Sequence, residues 1–441
     1  MILKQTPGAF GHRMIFNLLS SLNNGYSCTS CFSIKEFVEM VKPPLDGIRV
    51  LDLSSVVVGP YVSQFLADYG ASITKIEAPG GDILRKLGGP SKSGEMSPKF
   101  MNLNRNKRSI VIDLKHENAN EVLIKLIESH DVFLSNVRPQ ALKRLGLDYP
   151  SYKKLNPKVV YCSIVGFGQK GQYKNRPAYD NVIQGSGGIA ACHHRQGGRP
   201  KYMPMVVADR LTGLMACQAI LVSLMYRNRD NEGIFIQVPM FESLAEFVLI
   251  EHMGQLIYPG SDGPSGDLRV LDQFAVPIET KDSFICIAAN TQKQAAGLFE
   301  AIGRPELIED ERFNSVANRF KNVTQYNSIR NKALKTRVTA EWMEIFDRLD
   351  VPAMRYNTFE DLMSDPHMLD VGMFRQQEHP IEGTVYTMKQ PTEFSVEWER
   401  GQTLAPGLGQ HSGEIMAELG YSEGEISEMV ASGVIINKPI F

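Results

Sequence analysis

The chain has few cysteines, few tryptophans and no excess of charge of either sign. Six cysteines among 441 residues are too sparse for the disulfide framework of a small secreted protein. A chain of this length can bury a sufficient core without a disulfide or a metal. The formal net charge of -2 contains no basic excess, so the composition does not indicate a nucleic-acid-binding protein. These scarcities are typical of a globular protein of a reducing compartment.

The sequence also has little that resembles a membrane span. One apolar, uncharged stretch runs from Leu211 to Tyr226, and it is interrupted by Thr212, Gly213 and Gln218. It is shorter than the ~20 apolar residues that a spanning helix needs. We therefore expect a protein with neither a membrane nor a nucleic acid as its partner.

Acidic residues are missing from the first 35 positions. This segment is rich in serine and carries the basic residues Lys4, Arg13 and Lys35. Such a composition is typical of an organelle transit peptide. Cys28 and Cys31 have the CxxC spacing, but a redox role needs that spacing at a strand–helix junction. We predict a leader over residues 1–43, with a disordered N-terminal tail as the alternative.

From Pro44 onward, strand-like and helix-like segments alternate. IRVLDL, ASITKIEAP, RSIVIDLK, DVFLSNV and KVVYCSIVGF are short apolar runs of the kind that parallel sheets bury. Helix-like segments such as NANEVLIKLIESH separate them. This alternation predicts an α/β fold with a large, Rossmann-like, doubly wound parallel-sheet domain. Its ligands are expected at the carboxyl ends of the strands.

A dinucleotide site is the first hypothesis for such a sheet, and Glu77 ends the second strand, where a ribose-binding acid could lie. The loop after the first strand, SSVVVGP, contains one glycine instead of the pattern GxGxxG. Its backbone therefore lacks the freedom to wrap a pyrophosphate. The sequence argues against a nicotinamide-dependent oxidoreductase.

The composition changes after Gly233. YPGSDGPSGD is rich in glycine, proline and aspartate, as linkers are, and the strand-like DSFICIAAN and the helix-like TAEWMEIFDRL follow it. We predict a large domain over 44–235, completed by 385–441, and a linker over 236–265. A smaller α/β domain with its return linker is predicted over 266–384.

An unusual carboxylate stands before the apolar run LTGLMACQAILVSL. Asp209 is expected at a helix N-terminus, where an acidic side chain accepts backbone N–H bonds and is held ionised by the helix dipole. The simple interpretation is a helix cap. The functional interpretation is a nucleophile or base in a dry cleft, which the apolar residues Met203, Met205, Val206 and Val207 favour.

A second candidate segment is RPAYDNVIQGSGGIA, residues 176–190. It contains Tyr179 and the small residues Gly185, Ser186, Gly187 and Gly188. Consecutive small residues let backbone N–H groups approach a ligand, as in oxyanion sites. A surface turn and a core tyrosine would explain the same residues, so the segment alone does not decide between the two.

Seven motifs, in one order, resemble those of the class III CoA-transferases, the formyl-CoA and carnitine CoA-transferase type. The similarity runs from about Pro44 to the C-terminus. The resemblance implies a large Rossmann-like domain, a smaller α/β domain and a homodimer of two interlocked chains. The motifs are PLDGIRVLDLSSVVVGPYVSQFLADYGASITKIEAPGGD, NLNRNKRSIVIDLK, NVRPQALKRLGL, RPAYDNVIQGSGG, ADRLTGLMACQAILVSL, PIETKDSFICIAAN and LGQHSGEIMAELGYSEGEI.

The resemblance implies that Asp209 is a covalent nucleophile. In this chemistry the carboxylate attacks an acyl-CoA thioester and forms a mixed anhydride, the CoA thiolate returns to give an aspartyl-CoA thioester, and the acceptor acid opens it. Coenzyme A is then a substrate, and neither a resident cofactor nor a metal is expected. Because an anhydride hydrolyses readily, the site must exclude water.

Two alternatives remain open. The α-methylacyl-CoA racemases share the fold and the aspartate, but their histidine stands where this chain has Tyr179. A neutral phenol with a pKa of ~10 is a poor proton-transfer partner at pH 7, which favours the transferase. The other alternative is a non-catalytic CoA-binding scaffold. The joint presence of Asp209, Tyr179 and the glycine run argues against it.

The resemblance also implies which residues approach coenzyme A. Some family members have an arginine at the position of Ala78 and a glutamine at that of Val57, and this chain has neither. Phosphate binding is therefore expected at Lys107, Arg108 and Arg144. The expected contacts are Val57, Val58, Ala78, the segment 106–112, Asn136, Val137 and Arg144.

The chain is most similar to mitochondrial members of the family that move CoA from succinyl-CoA to glutarate. The similarity lies in its length, in the residues within its motifs and in its leader. We therefore expect acyl-CoA and free dicarboxylic acids as partners, and the mitochondrial matrix as the location. The unreacted carboxylate of such an acid needs a fixed cation. Arg108, Arg176 and Arg210 are candidates. We prefer Arg108, because adjacent side chains on a helix, such as those of Asp209 and Arg210, diverge.

Overall fold

The computed structural model describes residues 40–398 and 403–438, and half of its fourteen strands belong to one large sheet. The strands are β1 (Met40–Val41), β2 (Arg49–Leu53), β3 (Ser72–Glu77), β4 (Lys107–Ile112), β5 (Val132–Ser135), β6 (Val160–Val165), β7 (Ile234–Pro239), β8 (Ile278–Glu279), β9 (Phe284–Ile287), β10 (Ala353–Arg355), β11 (Phe374–His379), β12 (Gly383–Met388), β13 (Glu397–Trp398) and β14 (Ile435–Ile436).

The helices lie between these strands and after them. They are α1 (Val58–Asp68), α2 (Pro98–Asn104), α3 (Ala119–Ser129), α4 (Pro139–Arg144), α5 (Tyr149–Leu155), α6 (Asp180–Ser186), α7 (Ile189–Arg195), α8 (Val207–Asp230), α9 (Met240–His252), α10 (Leu268–Leu271), α11 (Gln292–Ala301), α12 (Val316–Lys321), α13 (Val323–Leu334), α14 (Thr339–Arg348), α15 (Phe359–Ser364), α16 (Pro366–Asp370), α17 (Ser412–Glu418) and α18 (Glu423–Ala431). Short 3₁₀ turns span Ile83–Arg85, Gly254–Ile257 and Pro305–Ile308.

The large sheet has seven strands in the order β14-β4-β3-β2-β5-β6-β7. Neighbouring strands are parallel, except that β14 runs antiparallel to β4 at one edge. Because the chain moves outward from β2 in both directions, helices cover both faces of the sheet. The predicted α/β fold with a large parallel sheet is therefore confirmed.

Side-chain alternation along the strands divides the core into two layers. Val50 and Leu134 pack on one face of the sheet, against a layer to which α1 and α8 contribute. Leu51 and Phe133, their neighbours in sequence, pack on the other face with α3. Every residue of β5 and β6 is buried, which explains why these strands are nearly continuous apolar runs.

A second, smaller sheet is antiparallel and has the order β10-β9-β8. Helices α11, α13 and α14 supply residues to its core, in which Trp342 stacks on Phe346 with 5.5 Å between the ring centroids. Strands β11 and β12 form a hairpin, and β1 pairs with β13. The domain limits given above from the sequence stay predictions.

The apolar helix α8 is part of the core. In the described part of the chain, α8 is the one helix long and apolar enough to cross a membrane by length and composition, and 44 % of that stretch is buried inside the protein. Ala216, Ile220 and Leu224 pack on the sheet. The expectation that the protein has no membrane partner stays a prediction.

The predicted leader, residues 1–43, falls mainly outside the described residues, which begin at position 40. Cys28 and Cys31 also lie outside them.

Candidate active site

A cavity opens at the carboxyl ends of β2, β5 and β6, the edge of the sheet at which the fold class predicts a ligand. We call it the Asp209 cavity. Seven residues predicted for the site line it together, and these are Val57, Val58, Asn136, Val137, Arg176, Tyr179 and Asp209. The other lining residues are Ser55, Val56, Arg138, Pro139, Gln140, Ile164, Val165, Gly166, Gln169, Lys174, Asn175, Ala178 and Met240.

Asp209 is the third residue of α8, and it does not cap the helix. The N–H groups of Ala208 and Asp209 donate instead to the carboxylate of Asp180. Burial and the negative charge of Asp180 raise the pKa of Asp209 to about 7, while Lys99 and Arg210 lower it. The expectation of a capping carboxylate held ionised by the helix is therefore wrong. A carboxyl with this pKa is about half protonated at neutral pH.

Asp180 and Gln184 are site residues that the sequence analysis missed. Both lie on α6 and are buried, and Gln184 Nε2 donates to Asp180 Oδ2 at 2.5 Å. Their spacing of four residues places them on one side of the helix, which was the one signal in the sequence. Asp180 accepts from N–H groups 28 and 29 residues away, and Gln184 bonds to backbone groups 19 and 21 residues away, so these pairings depend on the tertiary fold.

Tyr179 lines the cavity as an exposed residue, with 75 % of its surface accessible. The alternative of a core tyrosine is therefore wrong. No histidine lines the Asp209 cavity in the described part of the chain, and His193 and His194 lie on α7. Among the described residues, the lining therefore contains the aspartate but not the histidine of the proton-transfer pair that a racemase needs.

The glycine run has a packing role in this chain. A Cβ on Gly187 would lie 3.0 Å from Leu244 Cδ2, and one on Gly188 would lie 2.8 Å from Val248 Cγ1. Gly188 also has a φ of 104°, which favours glycine. These glycines let the α6–α7 turn approach α9, and neither lines the Asp209 cavity. The expected oxyanion role of Gly187 and Gly188 therefore finds no support in the geometry of the single chain.

The loop that contains Val57 and Val58 is tied down by two side chains. Ser55 N donates to Asn136 Oδ1 at 3.0 Å, and Asn136 Nδ2 donates back to Ser55 O at 2.8 Å. Val56 has a φ of 68°, a strained value for a β-branched residue, and its N–H donates to both carboxylate oxygens of Asp82. Asn136 therefore shapes the cavity wall as well as lining it.

Lys107 does not face the cavity. Its ammonium group is buried and donates to Pro60 O and Asn104 Oδ1, each at 2.9 Å, and lies 3.6 Å from Asp52 Oδ2. Burial lowers the pKa of Lys107 to about 7, against the opposing effect of Asp52. The expectation that Lys107 binds a CoA phosphate is wrong, because its donors are used inside the protein.

Glu77 belongs to the same buried set of charges. Although burial raises its pKa, the hydrogen bonds and charge of Arg85 bring it down to about 2. Arg85 Nη2 lies 2.6 Å from Glu77 Oε1, so this acid has no free oxygen for a ribose. This pairing agrees with the exclusion of a dinucleotide site.

Arg108 and Arg144 lie apart from Asp209 within the chain. Arg108 is at the amino end of β4 and forms an ion pair with Glu418 at 2.5 Å. The Asp209 cavity is at the opposite edge of the sheet, so our preference for Arg108 as the carboxylate-binding residue is wrong for a single chain. Arg144 is exposed in the last turn of α4 and does not line the cavity.

Three cations line the cavity in place of Arg108 and Arg144, and one of them, Arg176, is a candidate that was named from the sequence. Arg138, Lys174 and Arg176 line the Asp209 cavity, and within residues 40–398 and 403–438 none of them forms an ion pair with a carboxylate. The Arg176 guanidinium lies 4.8 Å from the centre of the Tyr173 ring. The cavity therefore combines one partly protonated carboxyl with three cations that are free to bind anions.

Arg210 does not line the cavity. Its guanidinium lies 4.3 Å from the centre of the Tyr61 ring.

Over the described residues, no group of three histidine, cysteine, aspartate or glutamate side chains could hold a metal ion.

Comparison with known proteins identifies what the chain resembles. The family model described as CoA-transferase family III matches residues 45–412. A succinyl-CoA:glutarate CoA-transferase of Mus musculus is 31 % identical over 398 residues, which cover 89 % of this chain and 90 % of that protein. A succinate–glutarate CoA-transferase of Agrobacterium fabrum is 32 % identical, and the alignment covers 86 % of this chain and 96 % of that protein. A crystal structure of a CAIB/BAIF family protein from Brucella suis superposes on this chain with a TM-score of 0.73 at 30 % sequence identity. The superposition covers 86 % of this chain and 100 % of the Brucella suis chain.

Proposed function

The chain belongs to CoA-transferase family III, and from this premise we propose that it moves CoA from succinyl-CoA to glutarate through covalent intermediates on Asp209. The observation that carries the proposal is the Asp209 cavity at the carboxyl ends of the strands. The half-buried carboxyl of Asp209 lines it together with three cations, none of which pairs with a carboxylate among the described residues. The relatives named above act on the same two acids, which supports the choice of substrates.

The proposed reaction conserves its groups at each step. An Asp209 oxygen attacks the thioester carbon of succinyl-CoA and the C–S bond breaks. The CoA thiolate departs, and a succinyl–aspartyl anhydride remains on the enzyme. The thiolate then attacks the aspartyl carbon and releases succinate. Glutarate attacks the resulting aspartyl-CoA thioester and frees the thiolate again. The thiolate finally takes the glutaryl group, so that glutaryl-CoA leaves and Asp209 is regenerated.

The walls of the cavity suit such intermediates. Val57, Val58, Val165 and Met240 are apolar lining residues, and they limit the water available to an anhydride. Asp209 attacks only as a carboxylate. Since its pKa is raised to about 7, the turnover rate is expected to rise with pH through that value.

The three cations support a dicarboxylate as the acceptor. An acid that reacts at one end presents a second carboxylate, and burying it without a cation would be unfavourable. We propose that Arg176, which Tyr173 holds by a cation–π contact, binds this distal carboxylate. Arg138 and Lys174 are then available for the phosphates of CoA.

The substrate proposal is tested by a panel of acceptors. With succinyl-CoA as the donor, glutarate is expected to give glutaryl-CoA, measured by liquid chromatography with mass detection. Adipate, oxalate, carnitine and 3-hydroxy-3-methylglutarate complete the panel. A clear preference for carnitine or oxalate would contradict the glutarate assignment and leave the family membership untouched.

Replacing Arg176 by methionine is expected to raise the KM for glutarate by about 10–100-fold, because a charge-assisted hydrogen bond contributes about 1.5–3 kcal/mol. Pentanoate has the same chain length and no second carboxylate, so its KM is expected to change less than about twofold. Arg199→Met, an exposed arginine outside the cavity, is the matched control. Equal increases for the two acids would show that Arg176 does not bind the distal carboxylate.

We propose further that the protein acts as a homodimer. Phe247 and Ile250 on α9 are exposed, as are Leu256, Ile257 and Tyr258 just after it. Neighbouring exposed apolar side chains of this size are typical of protein interfaces. Sedimentation equilibrium should give about twice the 49.2 kDa chain mass, less any leader that is removed, and a monomer mass would contradict the dimer.

The location proposed for the protein is the mitochondrial matrix, because residues 1–43 have the composition of a transit peptide. Residues 1–43 fused to a fluorescent protein should direct it to mitochondria, and diffuse fluorescence would contradict this.

A further inference from the structure

The amino end of α8 is capped by a side chain from another helix. Val206, the residue before α8, makes no side-chain cap. Asp180 Oδ1, on α6, accepts from Ala208 N at 2.8 Å and from Asp209 N at 3.2 Å. These are two of the N–H groups that a helix cannot satisfy internally. The carboxylate of Asp180 is thus bonded to the backbone of the residue proposed as the nucleophile.

Gln184 fixes Asp180 in this orientation. Its Nε2 donates to Asp180 Oδ2 at 2.5 Å and to Met205 O at 2.9 Å, while its Oε1 accepts from Met203 N at 2.8 Å. Gln184 is fully buried. The amide therefore ties α6 to the segment that leads into α8, and Asp180 cannot turn away without breaking several buried bonds.

Charged groups from several elements act on the carboxyl of Asp209. Asp180 on α6 is negative, whereas Lys99 on α2 and Arg210 on α8 are positive. Arg138, Lys174 and Arg176 are further cations that line the same cavity, and Tyr179 lines it with its phenol group. The start of a helix normally stabilises a carboxylate. Because Asp180 occupies the donors there, Asp209 receives a negative neighbour in place of the helix N–H groups.

We propose that Asp180 is a positioning residue for the reaction, which fixes the backbone of Asp209 and places a negative charge beside its carboxylate. The proposal rests on the proposed function, in which Asp209 attacks the thioester. During the attack, the Asp209 oxygen bonds to the acyl carbon and its charge moves onto the substrate, away from Asp180. Repulsion between the two carboxylates is therefore relieved in the transition state, which favours the attack.

The same neighbour sets the pH range of the enzyme. Burial and Asp180 together raise the pKa of Asp209 to about 7. The carboxylate is therefore more basic and more nucleophilic, but at neutral pH part of it is protonated and does not react. Removing the charge of Asp180 should move the acid limb of the kcat profile to lower pH. It should also slow the reaction at pH 8, where Asp209 is ionised in both proteins.

The test is the pH dependence of kcat for Asp180→Asn, whose amide oxygen still accepts the two helix N–H bonds. The midpoint of the acid limb is expected to fall by about one pH unit, and kcat at pH 8 to fall by about tenfold. The KM for succinyl-CoA should change less than about twofold. Asp180→Glu keeps the charge and should leave the midpoint unchanged. Should the Asn variant not fold, Asp180→Ser, which is smaller and offers one acceptor, replaces it.

A lower kcat at every pH with an unchanged midpoint would overturn the proposal, since a purely structural residue has that effect. Asp272→Asn is the matched control, because Asp272 is also buried and hydrogen-bonded but lies outside the cavity. Its midpoint should equal that of the unsubstituted protein.

An infrared titration separates this proposal from the proposed function. The protonated carboxyl band of Asp209, assigned by its loss in Asp209→Asn, reports the titration without turnover. A midpoint that falls in Asp180→Asn supports the role of Asp180 even if the acids exchanged are others, and a midpoint that stays contradicts it. Full activity of Asp209→Asn would instead contradict the proposed function.

Discussion

Asp209→Asn is expected to reduce kcat for CoA transfer from succinyl-CoA to glutarate by about 10⁴-fold or more, the effect typical of removing a covalent nucleophile. An amide oxygen does not form the anhydride. The measurement is initial-rate kinetics at pH 8, where the carboxylate of the unsubstituted protein is mostly ionised. Intact-mass analysis before and after the assay excludes deamidation back to aspartate. Glu341→Gln, an exposed acid in the first turn of α14, is the control and should retain full activity.

The loss of activity should occur without loss of stability. The fold raises the pKa of Asp209 from 3.8 to about 7, so the folded protein binds more protons than the unfolded chain between these values. Its stability therefore decreases as the pH rises through this window, and the ionisation penalty is complete above pH 7. Asp209→Asn removes that penalty and should unfold at the same or a higher temperature at pH 8. An inactive variant that is also unfolded would not agree with this account.

Lys75→Met is expected to lower the free energy of unfolding by about 3–5 kcal/mol, the effect of breaking a buried ion pair. Lys75 is fully buried, and its Nζ donates to Ser54 O at 2.8 Å and to Asp82 Oδ2 at 3.0 Å. Without it, the carboxylates of Asp82 and Asp52 lose a buried counter-charge. Although burial lowers the pKa of Lys75, Asp52 and Asp82 raise it above 10.5. Its contribution is therefore complete at neutral pH and is lost only as the pH rises above that value.

Chemical denaturation at pH 7.5 measures this effect. Lys335→Met is the matched control, because Lys335 is exposed and pairs with exposed Glu279. The control should cost less than about 1 kcal/mol. Equal losses in the two variants would show that the buried charges contribute no more than a surface pair.

The parallel sheet could be predicted because its strands are buried on both faces and therefore appear as short apolar runs. DVFLSNV and KVVYCSIVGF contain β5 and β6, all of whose residues are buried. Asp209 could be predicted because a carboxylate at the start of an apolar helix is unusual, and because the motif order resembles the family that the comparison confirms. Val57, Asn136 and Tyr179 line the same cavity because they follow parallel strands whose carboxyl ends lie at one edge of the sheet.

The roles of the charged residues could not be predicted in the same way. NRNKRS contains consecutive basic residues, and within β4 alternate side chains point to opposite faces, so Lys107 enters the core and Arg108 faces Glu418. Whether Lys107 or Arg108 lies beside a buried carboxylate depends on which strands, distant in sequence, are neighbours of β4. Asp180 was missed for the same reason, since its N–H partners are 28 and 29 residues away.

The covalent role of Asp209 is tested most directly by trapping the enzyme during turnover. The protein is mixed with succinyl-CoA, quenched with hydroxylamine or borohydride, digested, and analysed by peptide mass spectrometry. The account predicts a hydroxamate or a reduced side chain at Asp209, and none in Asp209→Asn. A fully active protein that shows no modification of Asp209 after repeated trapping, or modification of another residue in its place, would contradict the account.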